Sequence, residues 1–455
     1  MNTRRVEKYL LRYGTSTARP IVAASLEGIK QAVVIPTLAE RSSLFRTLAS
    51  IARNPSDHLQ DTLVICVVNN HRPHMTAPHL IRDNQETLAV LKDIVFRNPT
   101  TSSHLDNSHR DLHRIIGSEL RVAYIDASSP GNEIPDRDGG VGTARKIGMD
   151  AALGLIAAGD ATGGGVVCCL DADTLVEKNY LSAVRTHFEA TGNPAAVVSY
   201  AHQRPVDPGL QAAICCYEIF LRSYVIGLSY AGSPYAFHAI GSTIVCTAEG
   251  YAGVRGMNRR IAAEDFYFLN KLAKIGKIFT ITDTTVFPSP RISERVPFGT
   301  GQRILRFMTG GTDEYRLYDP RIFATLRDWF IKIDADPDRD CEAILAEARH
   351  IHVSLEEYLR MSHFTADWQF IRENCHAPLQ LRRQFHVWFD GLKTLRLIHH
   401  LSRCAFPLVP MFDGLSELID MIGSTSLPLT RPDNIPEIDE QYHILATLRS
   451  AFPRS

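Results

Sequence analysis

The sequence predicts an α/β protein with a helical region behind it, and three observations carry that prediction. Short apolar runs at residues 31–35, 62–68, 122–125 and 165–170 have the length and composition of buried strands. Between them apolar residues recur at helical spacing, the alternation expected of βαβ units that build a largely parallel sheet. Beyond about residue 320 the pattern turns to helical segments, such as 341–359, 378–401 and 415–422, with few strand signals. At 455 residues the chain exceeds what one core usually organises. The boundaries read from these changes are an N-terminal extension over 1–29, a sheet-bearing domain over 30–305 and a C-terminal helical region over 306–455.

The elements follow in order. After the first run, Pro36 and Thr37 turn the chain into a helix carrying Leu44, Phe45, Leu48 and Ile51 at helical spacing. The second run ends at Asn69-Asn70. A polar stretch over 71–121, longer than the usual connection, holds a helix near 85–96 and a Ser-, His- and Asn-rich loop at 100–108. The third run leads into a Gly/Pro/Asp-rich loop at 128–142, a composition suited to moving or cradling a ligand, and a helix starts near Thr143. The fourth run delivers its end to Asp171-Ala172-Asp173. Glu264-Asp265 opens a helix that closes at Gly276, with its acidic turn at the positive end of the dipole. Three prolines and two glycines between residues 288 and 301 disfavour a regular element there, and the Pro-rich stretch 425–437 reads as extended before a last short helix.

Composition narrows the function classes. A formal net charge of -1 argues against polyanion binding, so no nucleic-acid partner is expected. The 9 cysteines lie at neither metal-finger nor disulfide-framework spacings, and neighbours Cys168-Cys169 and Cys215-Cys216 sit in apolar segments, which suits buried thiols in a reducing compartment. The start, Met1-Asn2-Thr3-Arg4-Arg5, leads into a charged segment rather than an apolar one, so a cytoplasmic location is expected. Residues 223–248 carry no Asp, Glu, Lys or Arg, yet Gly, Ser, Pro and His238 interrupt them; they read as core and site wall rather than a transmembrane segment. Peripheral membrane contact around Ile219-Phe220-Leu221 stays open.

Asp171 and Asp173 stand where a parallel strand meets the ligand crevice. Paired carboxylates there suit Mg²⁺ or Mn²⁺, hard cations that usually arrive with substrate phosphates. By spacing alone this acidic triplet is a weak signal, and a helix cap is the favoured reading over a metal site. His202 and His238 sit in no cluster of recognisable ligand spacing and read as ordinary packed or surface histidines.

Taken with 33–41 (Val-Val-Ile-Pro-Thr-Leu-Ala-Glu-Arg), 142–148 (Gly-Thr-Ala-Arg-Lys-Ile-Gly) and Ala263-Glu264-Asp265, the acidic triplet resembles the signature of family 2 glycosyltransferases with the GT-A fold, over roughly residues 30–305. The resemblance implies a Rossmann-like mixed sheet flanked by helices and a sugar transferase that uses a nucleoside-diphosphate sugar, a UDP- or GDP-sugar, with Mn²⁺ or Mg²⁺. Pro36, Thr37 and Glu40 match the stretch that holds the base and ribose. Asn69 and Asn70 stand where the family usually has an Asp that recognises the base; an amide offers both a donor and an acceptor. Gly142, Arg145 and Lys146, at a glycine-rich helix start, suit a diphosphate. Asp171 would contact ribose or sugar, and Asp173, with Asp171, the metal.

Glu264 and Asp265 are the catalytic candidates; by the same resemblance, Asp265 is the general base of an inverting transfer to a hydroxyl acceptor. Arg291, Arg295 and Arg303 are candidates for a cationic lid that closes over the diphosphate or for holding an anionic acceptor, with solvated loop charges as the competing reading. Gln302-Arg303-Ile304 replaces the Gln-x-x-Arg-Trp of processive members, so a non-processive enzyme is expected. Two other readings stay open: a nucleotidyltransferase of similar fold, although 36–40 lacks its basic glycine-rich signature, and a non-catalytic nucleotide-sugar sensor or scaffold.

Overall fold

The computed structural model describes residues 3–15, 19–98, 109–136, 138, 140–159, 165–260, 262–292, 299–423 and 435–451. The loop 100–108, most of 425–437 and Arg295, each singled out above, lie outside the described residues. The chain divides into two compact units: Met1–Arg204 with Ala239–Pro290 and Glu294–Gly299, and Pro205–His238 with Arg291–Ser293 and Thr300–Ser455. This division and the sequence boundaries cut the chain differently. Helix Thr3–Tyr13, in the extension, packs on helices Gly140–Ala158 and Ala248–Gly253 of the first unit, and helix Pro208–Tyr230 packs within the second.

The first unit is built on a nine-stranded mixed sheet, the α/β class the sequence predicts. Its strands are β1 (Ile21–Ala23), β2 (Gln31–Thr37), β3 (Thr62–Asn69), β4 (Arg121–Ala127), β5 (Val166–Cys169), β6 (Leu175–Val176), β7 (Ala195–Tyr200), β8 (Ile244–Thr247) and β9 (Phe279–Phe287), in the order β1-β4-β3-β2-β5-β8-β7-β9-β6. Strands β4, β3, β2 and β5 run parallel; β1 is antiparallel to β4 and β8 antiparallel to β5. Every residue of β2, β3 and β5 is buried. Cover on both faces is why these strands read as continuous apolar runs rather than as alternation.

The order reverses between β2 and β5. The chain builds β2, β3 and β4 outward on one side, then returns to lay β5 on the other side of β2, and ligand crevices of open α/β sheets form at such a switch point, at the carboxyl ends of the strands. The register opens the crevice further: β2 pairs with β5 only through Val34, opposite Cys169, but stays paired with β3 through Thr37. Pro36, which lacks an N–H, therefore falls beyond the last β2–β5 pair.

A buried amide closes one side of the crevice. Asn84 is fully buried on helix Pro78–Val95. Its Oδ1 accepts from the Ala39 N–H at 2.8 Å, and its Nδ2 donates to Asn69 O at 3.0 Å and Asn70 Oδ1 at 2.9 Å. Ala39 sits at φ +51°, a conformation that costs a non-glycine residue about 1 kcal/mol and is held by this bond.

In the second unit the helical region predicted beyond 320 is present, with two interruptions. The segment 341–359 is two helices, Cys341–Ile351 and Val353–Met361, because His352 is extended and its Nδ1 accepts from the Ser354 N–H at 3.1 Å. The segment 378–401 breaks before Asp390, whose Oδ1 accepts from the N–H groups of Leu392 and Lys393 at 3.1 and 3.2 Å and starts helix Gly391–Cys404. Trp329, Trp368, Phe364, Phe385 and Phe389 fill the core between these helices. Helix Pro208–Tyr230 is long and apolar enough to cross a membrane by length and composition, and 67% of its most apolar window is buried within the protein. Ile219 on it is fully buried and Phe220 packs against the same core. All nine cysteines are unbridged, six of them buried.

Replacing Asn84 with Ala removes the side-chain partners of the Ala39 N–H and of Asn69 O and one of two donors to Asn70 Oδ1, so it should lower stability by about 3 kcal/mol in urea unfolding. A loss below about 1 kcal/mol would contradict the bracing of the crevice by this amide.

Candidate functional site

Four sequence-predicted residues meet beside the switch point. Asp171 follows β5, Arg145 lies in the second turn of helix Gly140–Ala158, and Glu264 and Asp265 open helix Glu264–Ala273. The Gly140 helix leads from β4 back to the start of β5, so its N-terminal turns lie at the carboxyl edge of the parallel strands.

Arg145 joins them. Its side chain is 4% exposed, and its two terminal nitrogens bind different carboxylates, Nη1 to Glu264 Oε1 and Nη2 to Asp171 Oδ1. Gly241 makes room for it: a Cβ there would stand 2.1 Å from Nη2. These acids outweigh the burial that opposes charge on the guanidinium, and its pKa is raised. Buried ions persist only when paired, so the guanidinium fixes both carboxylates in place.

The acidic turn is pinned by its backbone. Thr47 Oγ1 donates to Ala172 O at 2.9 Å, Gln203 Nε2 to Asp173 O at 3.0 Å and to Phe287 O at 2.8 Å, and Thr174 N–H to Asp171 O at 3.1 Å. Ser242 Oγ donates to Asp171 Oδ2 at 2.5 Å and accepts from Thr174 Oγ1 at 3.0 Å. Asp171 nevertheless keeps 36% of its side chain exposed, and Asp173 is half-buried. Sequence reading missed Thr47 and Gln203, because neither stands at a motif spacing.

Asp265 differs from Glu264. Burial and then the neighbouring Glu264 carboxylate push its pKa up to about 7, against the pull of Arg145 and of the Phe266 N–H, which donates to Oδ1 at 2.7 Å. Burial is the larger cause; the one guanidinium facing Asp171, Glu264 and Asp265 pairs with the first two and only partly offsets it for the third. Ala263, just before them, sits at φ +58°, and this strained residue sets the direction in which the helix begins.

The other candidates lie elsewhere or are otherwise engaged. Lys146, one residue past Arg145, points away into a buried cluster: Nζ donates to Tyr9 Oη at 2.6 Å and lies 3.0 Å from Asp150, which also accepts from Tyr9 and Tyr251 at 2.6 and 2.7 Å. Gly142 is buried, and a Cβ there would stand 2.6 Å from Arg260 O and 2.7 Å from Asn258 O, so close packing accounts for the glycine. Asn70 spends its amide on Asn84, Ser128 and His71 O, and Asn69 and Thr37 are buried beside it. Glu40 is buried, its Oε2 accepting from Ser43 Oγ at 2.8 Å.

Arg291 is half-buried and belongs to the second unit. So does Arg303, which pairs with Glu314 at 3.1 Å and lies 4.7 Å over the Phe220 ring. His202 and His238 are both buried, and burial with nearby Arg222 lowers His238 to about 3, keeping it neutral.

Among the described residues no group of three or more His, Cys, Asp or Glu is assembled to hold a metal. The donor set at the crevice is instead one or two carboxylates beside an uncompensated negative charge. That fits Mg²⁺ or Mn²⁺, which complete their shells with water and substrate phosphate, better than an ion needing a closed protein cage.

No protein-family model matches this chain, and no curated protein matches it. Among solved structures, residues 1–349 of TarS from S. aureus are 14% identical over 73% of this chain and 92% of that one, with a TM-score of 0.34. The same TarS segment in complex with UDP is 12% identical over 82% and 91%, with a TM-score of 0.36. The mannosyltransferase PcManGT from Pyrobaculum calidifontis, in complex with GDP-Man and Mn²⁺, is 16% identical over 88% and 93%, with a TM-score of 0.34. Similarity at this level transfers no residue's role to this chain.

Replacing Arg145 with Ala should lower stability by about 3–5 kcal/mol, since it leaves buried Glu264 unpaired, and adding Glu264→Gln should recover much of that loss. Urea unfolding of the single and double variants checks both. Additive losses would contradict the coupling.

Proposed function

We propose that this chain is a glycosyltransferase that moves a sugar from a nucleoside-diphosphate sugar to a hydroxyl acceptor, with a divalent metal and with inversion at the transferred carbon. The observation that carries this reading is the buried Arg145 tying Asp171 to Glu264 at an open switch point, with Asp265 left beside them near neutral pKa. The order of the sequence motifs supports it.

In this mechanism the nucleotide lies along the ends of β2 and β3, beside Pro36, Thr37 and Glu40. Asp171, held by Arg145 and Ser242, presents its exposed edge to hydroxyls of ribose or sugar. Asp173, with Asp171 beside it, would hold Mg²⁺ or Mn²⁺. When bound, the metal supplies positive charge against the charge that grows on the departing diphosphate. Asp265 takes the proton of the acceptor hydroxyl as its oxygen bonds to the anomeric carbon and the bond to the diphosphate breaks. Glu264 is committed to Arg145, so it serves by position and by raising the basicity of Asp265. A base near pKa 7 is half ionised at neutral pH and strong enough to take the proton late in bond formation.

A base acts only when ionised. With Asp265 near 7, kcat/KM for release of UDP or GDP from a sugar nucleotide should rise about tenfold per pH unit below 7 and level off above it. Asp265→Asn should lower turnover by about two to four orders of magnitude, remove that acid limb and leave donor affinity near wild type. A variant that keeps both turnover and limb would assign the base elsewhere.

Asp173→Ala should abolish the gain that Mn²⁺ gives to nucleoside-diphosphate binding while thermal unfolding stays unchanged. An undiminished metal effect in calorimetric titration would remove Asp173 from the metal site.

A further inference from the structure

The second unit contains a cavity of about 530 Å³ whose lining holds six basic or titratable nitrogen side chains, Lys393, Arg396, Arg403, His363, His399 and His400, and no carboxylate. Four of these positions, 393, 396, 400 and 403, recur at helical spacing, so they form one face of helix Gly391–Cys404. His363 enters from the turn that precedes helix Phe364–Asn374.

Such an arrangement has a cost. Like charges three and four residues apart on a helix repel, and surface helices ordinarily relieve this by interleaving acids. Here, among the described residues, Lys393, Arg396 and Arg403 form no ion pair, although this unit is otherwise rich in pairs such as Arg360–Glu356 and Lys332–Glu347. Lys393 instead lies 4.8 Å over the Trp388 ring, and Arg403 spends only Nε, on His399 O at 3.2 Å. Two acids stand near the ends of this face: Glu357 Oε2 is 3.9 Å from His400 Nε2, and Asp390 is bonded to the N–H groups that begin the helix. His363 holds φ +60° and provides no side-chain cap for the helix it precedes.

We infer that this cavity binds a phosphate-bearing ligand, with Arg396 and Arg403 as its principal contacts. A concave surface lined by one sign of charge concentrates anions, and guanidinium forks match phosphate oxygens with paired, charge-assisted hydrogen bonds. The volume lies within the range of small-ligand sites, about 300–1,000 Å³. The site lies wholly within the helical unit, and the inference stands independently of the proposed transfer reaction.

The test is calorimetric titration of the full chain with inorganic pyrophosphate in EDTA, beside co-sedimentation with phosphatidylcholine vesicles with and without phosphatidylglycerol. Arg396 and Arg403 are exposed, so the pair Arg396→Gln/Arg403→Gln should fold normally, as circular dichroism and thermal unfolding will show. Pyrophosphate binding that the double variant weakens at least about 30-fold, and that Asp173→Ala leaves unchanged, assigns a soluble phosphate ligand. Co-sedimentation with phosphatidylglycerol vesicles only, lost in the double variant, assigns the phosphate of a lipid headgroup. Binding to neither probe overturns the inference, as does binding that the double variant leaves intact or that Asp173→Ala abolishes.

Discussion

The first unit depends on one buried cation. Arg145 holds Asp171, at the end of a central strand, and Glu264, at the start of a helix 119 residues away from it in sequence. Without that guanidinium, a buried carboxylate would stand uncompensated, at a cost of several kcal/mol. Structures tolerate such an arrangement where geometry matters more than stability. Here it sets the position of two acids to within a hydrogen bond, while burial and the neighbouring Glu264 carboxylate leave a third acid, Asp265, with a raised pKa. The perturbed group and its cause belong to the same cluster, a pattern that marks functional sites more often than structural ones.

Around that cluster the backbone does the fixing. Thr47 and Gln203 hold the carbonyls on either side of the acidic turn, Ser242 holds its first carboxylate, and Asn84 ties the end of β2 to the end of β3. Each link uses a neutral side chain. These links add no positive charge beyond that of Arg145, so the acids of the site outnumber its one cation and keep an attraction for a metal. Preorganised charge of this kind costs no rearrangement when a ligand arrives.

Much of this was legible in sequence where the signal is local. Continuous apolar runs mark strands covered on both faces, and the acidic triplet, the glycine-rich helix start and the Glu-Asp pair mark three of the turns that meet at the crevice. What was not legible is either long-range or angular. Arg145 and Lys146 look like one cationic pair, but adjacent residues on a helix point about 100° apart. One therefore faces the acids and the other enters the Tyr9–Asp150–Tyr251 cluster. The breaks at His352 and Asp390 were hidden because helical periodicity runs on through a capping residue. Helix Pro208–Tyr230 lies between two segments of the sheet unit in sequence, and only its packing assigns it to the other unit. Gln203 carries no pattern at all; its role exists only once β9 and the acidic turn lie side by side.

The central claim is that the acids beside Arg145 form an incomplete cation site which a nucleoside diphosphate completes. Electron paramagnetic resonance of Mn²⁺ titrated into the protein measures this directly, because bound ion loses the sharp six-line signal of free Mn²⁺. The expected result is weak binding by the protein alone and close to one tightly bound Mn²⁺ per chain once UDP or GDP is present. Tight Mn²⁺ binding that nucleotide does not change, or no binding with any nucleoside diphosphate, would contradict it.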